Sequence, residues 1–220
     1  MSPPSLVIFD CDGVLVDSEP IANRVLHGLL VARGIDVTLG ATHRRFLGTS
    51  ASSFTAALLD LDATIAPDEF LAAFRHELLD VFSRELRAVE GAAELVASLD
   101  VPYCVASNSS RIRLVFSLKQ TGLFASFAGR IFSAEDVPKP KPAPDLFLHA
   151  AETMGVAPGR CLVIEDSDPG IAAGNAAGMT VWGFVGGIHL AGGDAARRLA
   201  ASGAARVFAK MSDLKSALLD

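Results

Sequence analysis

Leu6-Val7-Ile8-Phe9-Asp10-Cys11-Asp12-Gly13-Val14-Leu15-Val16-Asp17-Ser18 is the stretch on which the reading of this chain turns. Its four apolar residues, Leu6 to Phe9, are rich in β-branched types and predict a short buried strand. The strand stops on Asp10, Asp12 follows two residues later, and Gly13 permits a sharp turn. Two carboxylates at one strand tip crowd a small space, and each raises the cost of ionising the other. A cation or a proton must relieve that crowding. Such a pair can hold Mg²⁺, which takes oxygen ligands, and a carboxylate can act as a nucleophile toward phosphorus. A bare Asp-x-Asp-Gly is equally the composition of an ordinary turn.

Composition sets the limits. The chain has 220 residues, half of them hydrophobic and a fifth charged, enough for one large domain or for a core carrying an inserted module. A net charge of −6 without any basic tract argues against a nucleic-acid binder. The first apolar run is too short for a signal peptide, and no stretch reaches the length needed to cross a bilayer, so no membrane partner is expected. The three cysteines show no metal-ligand spacing. Cys104 and Cys161 fall in strand-like runs and read as small buried hydrophobes. At Cys11 the backbone matters more than the thiol. A reducing, cytoplasmic setting fits this usage.

Downstream of Ser18, which can cap a helix begun by Glu19 and Pro20, only helical patterns occur as far as about Arg87. Ile21, Val25, Leu29 and Leu30 recur at helical spacing until Gly34. Short helices are predicted from Thr42 to Leu47, ending at Gly48, and from Ser52 to Leu59. A longer one after Pro67 carries Phe70, Phe74, Leu78 and Phe82. From Glu90 onward strands alternate with helices. Strands are predicted at Tyr103–Ala106, Ile131–Phe132, Cys161–Ile164, Val181–Phe184 and Val207–Phe208. The intervening helices include 111–120, 145–154, 169–177 with Gly178 just beyond its end, and a last one capped by Ser212. Alternation of this kind predicts an α/β fold with a doubly wound parallel sheet. The helical block interrupts it as an insertion after the first strand. The expected domains are therefore a Rossmann-like core made of residues 1–15 and 88–220, and an all-helical cap of residues 16–87.

Ligands of such sheets sit at the carboxyl ends of the strands. Three strands end there in polar residues: Asp10 and Asp12, Ser107 and Asn108, Glu165 and Asp166. Lys141 lies in a proline-rich loop close by in the pattern. Singly, each has an ordinary explanation as a helix cap, a turn or a solvated loop charge. Jointly they form a constellation.

The string Asp-x-Asp-Gly-Val-Leu-x-Asp-Ser resembles the first motif of the haloacid dehalogenase superfamily, most of whose members are Mg²⁺-dependent phosphatases and phosphomutases. Ser107 resembles the second motif, Lys141 within Lys-Pro-Ala-Pro-Asp the third, and Glu165-Asp166-Ser167-x-x-Gly170 the fourth. Lys139 competes for the third, but the Pro-x-Pro-Asp follows Lys141. The resemblance implies that Asp10 attacks phosphorus and becomes an aspartyl phosphate, and that Asp12 acts as general acid and then general base with a raised pKa. It implies Mg²⁺ held by Asp10, the Asp12 carbonyl and Asp166, with Glu165 as a neighbouring or alternate ligand. Ser107, Lys141, and backbone N–H groups around Cys11, Gly13 and Asn108 would cradle the phosphoryl oxygens.

Asp12 discriminates among the family's reactions. The dehalogenases and phosphonate hydrolases lack an Asp there, so its presence implies a phosphate ester with a poor leaving group. β-Phosphoglucomutases are the nearest rival, but the cap residues they use correspond here to Ala22, Leu47 and Ala51. The expected function is thus a phosphatase acting on a small phosphorylated metabolite, such as a sugar phosphate or phosphosugar acid, as a monomer or homodimer. Arg45, Gly48 and Thr49 of the cap loop, together with Arg24, are the candidates for substrate selection. A mutase, and a catalytically silent regulatory module on the same fold, are the alternatives. The loop Gly186-Gly187-Ile188-His189 has no assigned role.

Overall fold

In the computed structural model, residues 3–46, 51–190 and 193–219 are described. The elements in chain order are β1 (Leu6–Phe9), α1 (Glu19–Ala32), α2 (Leu39–Phe46), α3 (Ala51–Leu61), α4 (Pro67–Glu85), α5 (Ala92–Ala97), β2 (Tyr103–Ser107), α6 (Arg111–Gln120), α7 (Phe124–Phe127) and β3 (Ile131–Ser133). They continue with α8 (Asp145–Thr153), β4 (Cys161–Glu165), α9 (Asp168–Ala176), β5 (Thr180–Phe184), α10 (Ala195–Ala201), β6 (Arg206–Phe208) and α11 (Met211–Leu219). The chain divides into two units, Met1–Asp17 with Arg87–Asp220, and Ser18–Leu86.

The first unit is built on a six-stranded sheet of order β3-β2-β1-β4-β5-β6, every pair parallel. The predicted doubly wound α/β fold is therefore the observed one. β1 is central because all four of its residues are apolar and fully buried, as a strand covered on both faces must be. Leu6 and Ile8 face one side with Cys104, Ala106, Cys161 and Val163, where α8 and α9 supply Phe147 and Ile171. On the other side Phe127 of α7 meets Phe9 and Tyr103 edge-on, with ring centroids 6.2 and 5.4 Å apart. Chain order reverses beside β1: β2 pairs on one side and β4 on the other. The register that sets Phe9 opposite Val105 and Ile164 brings Asp10 level with Ala106 and Glu165.

The second unit is wholly helical among its described residues. Along α4, Phe70, Phe74, Leu78 and Phe82 are buried one turn apart, and Phe54 packs between Phe46 and Phe74 at 4.9 and 6.0 Å. The two connections to the first unit run side by side. The Asp17 N–H donates to the Arg87 carbonyl at 3.0 Å, and Val16 bridges antiparallel to Ala88.

Local differences from the sequence reading have local causes. α2 begins at Leu39 rather than Thr42, because Thr38 caps it: its Oγ1 accepts from the Ala41 N–H at 3.2 Å. Ser18 stands at the N-cap of α1, but its side chain makes no capping bond. Ser212 lies inside α11, which starts one residue earlier. The short α7 is too brief to show a period in sequence. No helix among the described residues is long and apolar enough to cross a membrane.

Candidate active site

Asp10 extends β1 past its last paired residue and is only 7% exposed. Its Oδ1 accepts from Lys141 Nζ at 2.7 Å. The same ammonium donates to Glu165 Oε1 at 2.6 Å and to the Ala106 carbonyl at 2.9 Å, and lies 4.6 Å from the centre of the Phe147 ring. Asn108 fixes the loop that delivers it: its side chain accepts from the Lys141 N–H and donates to the Lys141 carbonyl, both at 3.0 Å. Lys141 is buried whereas Lys139 is exposed, so it is Lys141 that reaches the strand tips.

Glu165, at the end of β4, spends its second oxygen on the turn that follows. Oε2 accepts from the Asp166 and Ser167 N–H groups, both at 3.1 Å, and from Ser167 Oγ at 2.8 Å. Ser167 also caps α9 through the Gly170 N–H. Gly170 has to be glycine here, since a Cβ would lie 1.9 Å from the Glu165 carboxyl carbon. Asp166 is 6% exposed, and its Oδ2 is 3.0 Å from His189 Nε2.

Carboxylate oxygens of Asp10, Glu165 and Asp166 lie within 4.8 Å of one another. Burial pushes the Asp10 carboxyl well above the ordinary range; Lys141 opposes this, while Glu165, Asp166 and Asp12 add to it. Burial alone would lower Lys141, but attraction from Asp10 and Glu165 and the hydrogen bonds to both outweigh it and hold the ammonium above its usual value. Three carboxylates against one ammonium leave a negative pocket of hard oxygen donors. That donor set suits a small divalent cation such as Mg²⁺. Both Glu165 oxygens accept hydrogen bonds, one from Lys141 and the other from the turn that follows β4.

Asp12 turns away from this cluster. Its Oδ1 pairs with Arg113 at 2.7 Å, and its Oδ2 accepts from Ser109 Oγ at 2.6 Å and, more loosely, from Ser107 Oγ at 3.4 Å. The Gly13 N–H, expected in a phosphate cradle, donates to the Val16 carbonyl at 2.8 Å and closes the turn. Gly13 has φ +81°, and a Cβ there would come within 1.9 Å of Asp166 Oδ2. The Cys11 thiol is buried, and burial with the nearby carboxylates pushes its pKa up, so the residue contributes backbone and not a nucleophile.

A family model for haloacid dehalogenase-like hydrolases matches residues 4–178. The chain belongs to the haloacid dehalogenase-like hydrolases. Among relatives of this hydrolase, 6-phosphogluconate phosphatase of Escherichia coli is 34% identical over 185 residues, 84% of each chain. Among solved structures, a haloacid dehalogenase-like protein from Agrobacterium tumefaciens, of unknown function, superposes with a TM-score of 0.84 at 37% identity, covering 98% of this chain and 97% of its own. A haloacid dehalogenase family hydrolase from Deinococcus radiodurans, with bound phosphate and sodium, does so at 0.79 and 37% identity, covering 99% and 96%.

Asp10, Lys141, Glu165 and Asp166 of this hydrolase are thus brought together, with Asp12, Ser107 and Asn108 around them. Arg45 pairs with Asp60 within the helical unit, as Arg24 pairs with Glu85, while Gly48 and Thr49 lie outside the described residues. Sequence reasoning missed Ser109, Arg113 and His189. Arg113 was detectable in principle, as the residue three beyond the Ser110 N-cap in the first turn of α6.

Proposed function

We propose that this hydrolase is a Mg²⁺-dependent phosphatase for small phosphate monoesters, a sugar phosphate or phosphosugar acid being the substrate class. The observation that carries it is the Asp10–Lys141 pair beside Asp166, with Asp12 two residues away. The relative that acts on 6-phosphogluconate and the neighbour that holds phosphate support the choice of substrate.

In this reading a carboxylate oxygen of Asp10 attacks phosphorus, the bond to the leaving oxygen breaks, and Asp12 gives that oxygen a proton. Water then attacks the aspartyl phosphate, Asp12 takes its proton back, and the Asp10–phosphorus linkage opens. Ester and water become alcohol and phosphate, and both carboxyl groups return to their starting states. Lys141 orients Asp10 and offsets phosphoryl charge, while Ser107 lies beside Asp12 at the same strand edge. Asp10 and Asp166, with the Asp12 carbonyl, would hold Mg²⁺. The bound ion supplies charge neutralisation for the transferring phosphoryl oxygens. Arg113 pairs with Asp12 in this arrangement. For the acid half Asp12 must leave Arg113 and arrive protonated. The helical unit, Ser18–Leu86, serves as the cap that selects the leaving group and excludes water.

The test is phosphate release from a panel of sugar phosphates, phosphosugar acids, phosphoglycolate, nucleotides and β-glucose 1-phosphate, with and without Mg²⁺. Asp10→Asn is the control. Mg²⁺-dependent release, abolished in the variant, is expected. Conversion of β-glucose 1-phosphate to the 6-phosphate without release would make the enzyme a mutase. Silence toward every ester would favour a regulatory module.

A further inference from the structure

The loop after β5 reaches back to the turn after β1, and its construction is specific. At Gly187 an added Cβ would lie 2.7 Å from the Gly13 carbonyl oxygen. At Gly186 it would lie 2.4 Å from the Phe184 ring and 2.6 Å from the Ala209 carbonyl oxygen. Neither position admits a side chain without displacing backbone or core. The following residue is tied down from the other end, where the Ile188 N–H donates to Asp17 Oδ1 at 3.0 Å. His189 comes next, with its side chain 4% exposed and its Nε2 3.0 Å from Asp166 Oδ2. The third close approach is at Gly13 itself, where a Cβ would also strike His189 Cε1 at 2.6 Å. Three glycines and one anchored N–H thus clear and fix the path of a single imidazole to a single carboxylate.

A loop built only to connect β5 with α10 needs none of these approaches. A carboxylate offered to a cation needs its plane set, because an unrestrained Asp turns about two torsions and presents either oxygen. We propose that His189 is a positioning residue of the metal site. It donates through Nε2 to Oδ2 of Asp166 and so holds that carboxylate toward the divalent cation shared with Asp10. The inference rests on the metal-dependent reading above. Hydrogen-bond partners behind a ligand are worth roughly 10–100-fold in metal affinity where they have been removed. The customary order is a carboxylate behind a ligating histidine; here the histidine stands behind a ligating carboxylate.

The experiment is Mg²⁺ and Mn²⁺ titration of the 220-residue protein by calorimetry, with free Mn²⁺ followed by its paramagnetic resonance signal. Thermal unfolding is recorded for every variant. His189→Ala is expected to weaken both ions by about 10–100-fold. His189→Gln retains an N–H donor and is expected to recover most of the affinity. In an Asp166→Asn background, His189→Ala should change affinity little further, since the two residues act through one contact. Unchanged or tighter binding in His189→Ala overturns the proposal, tighter binding meaning that the imidazole competes with the cation. If the alanine variant fails to fold, the glutamine variant decides alone, and a loss of ten-fold or more there overturns it. Wild-type protein that binds neither ion overturns the metal-dependent reading as well. Normal wild-type binding with no effect of His189 overturns this inference only.

Discussion

Lys141 brings three ammonium protons to three acceptors, Asp10 Oδ1, Glu165 Oε1 and the Ala106 carbonyl. Removing the ammonium strands two buried carboxylates, which costs far more than the pairs contribute while intact. Lys141→Met is therefore expected to lose about 3–5 kcal/mol of stability at neutral pH. The raised Lys141 pKa makes this contribution complete below the ordinary lysine value and lost as pH climbs through the folded one. The deficit should thus persist to at least about pH 10. Saturating Mg²⁺ should raise the Tm of the variant more than that of the wild type, because the dication replaces the missing charge. Equal shifts in thermal unfolding would remove the cation from this cluster. Asp10, Lys141, Glu165 and Asp166 were legible in sequence because each stands at a strand end or in a proline-marked loop. Arg113 and His189 were not. Which of Arg111 and Arg113 turns toward Asp12 depends on the phase of α6, and Arg111 in fact goes to Asp136.

Among the elements, α9 shows how a glycine inside a helix can be required rather than tolerated. Alanine normally gains about 1 kcal/mol over glycine in a helix interior. At Gly28 of α1 nothing lies within 4 Å of a would-be Cβ, so Gly28→Ala should stabilise by about 0.5–1 kcal/mol. At Gly170 the same methyl would lie 1.9 Å from the Glu165 carboxyl group. Overpacking of this kind costs roughly 1–3 kcal/mol or more, so the sign reverses. Gly170→Ala should lower the urea midpoint and, by displacing Glu165 from Lys141, depress turnover as well. Two alanines of equal stability would mean that Glu165 relaxes without consequence. Helix and strand types were readable from period and from Gly and Pro punctuation. Helix starts were read less well, because Thr38 caps α2 from outside any apolar pattern. The loop from Gly186 to His189 carries no period at all; its meaning lies in contacts with a turn far away in sequence.

At the scale of the whole molecule, alternation of strands and helices after Glu90 was enough to read the parallel sheet, since crossover connections leave few other arrangements. The strand order was not legible, because nothing in a run of apolar residues states which neighbour it takes. The antiparallel connections at Val16–Ala88 and Asp17–Arg87 bring the ends of the helical unit together. Replacing residues 18–86 by a short Gly-Ser linker should therefore leave a cooperatively unfolding sheet unit, followed by circular dichroism in urea. That protein should retain some release from aryl phosphates but lose discrimination among sugar phosphates; loss of cooperative unfolding would show that the sheet needs its insertion. The central position of β1 has a consequence for synthesis. The strand that carries Asp10 leaves the ribosome well before its partners, Tyr103–Ser107 and Cys161–Glu165. The continuous helical unit can fold while β1 waits, as domains do when made in sequence. Until β4 emerges there is no Glu165 or Asp166 to meet Asp10, so the buried carboxylate cluster cannot assemble, and any chemistry that depends on it has to wait for residues more than 150 positions downstream.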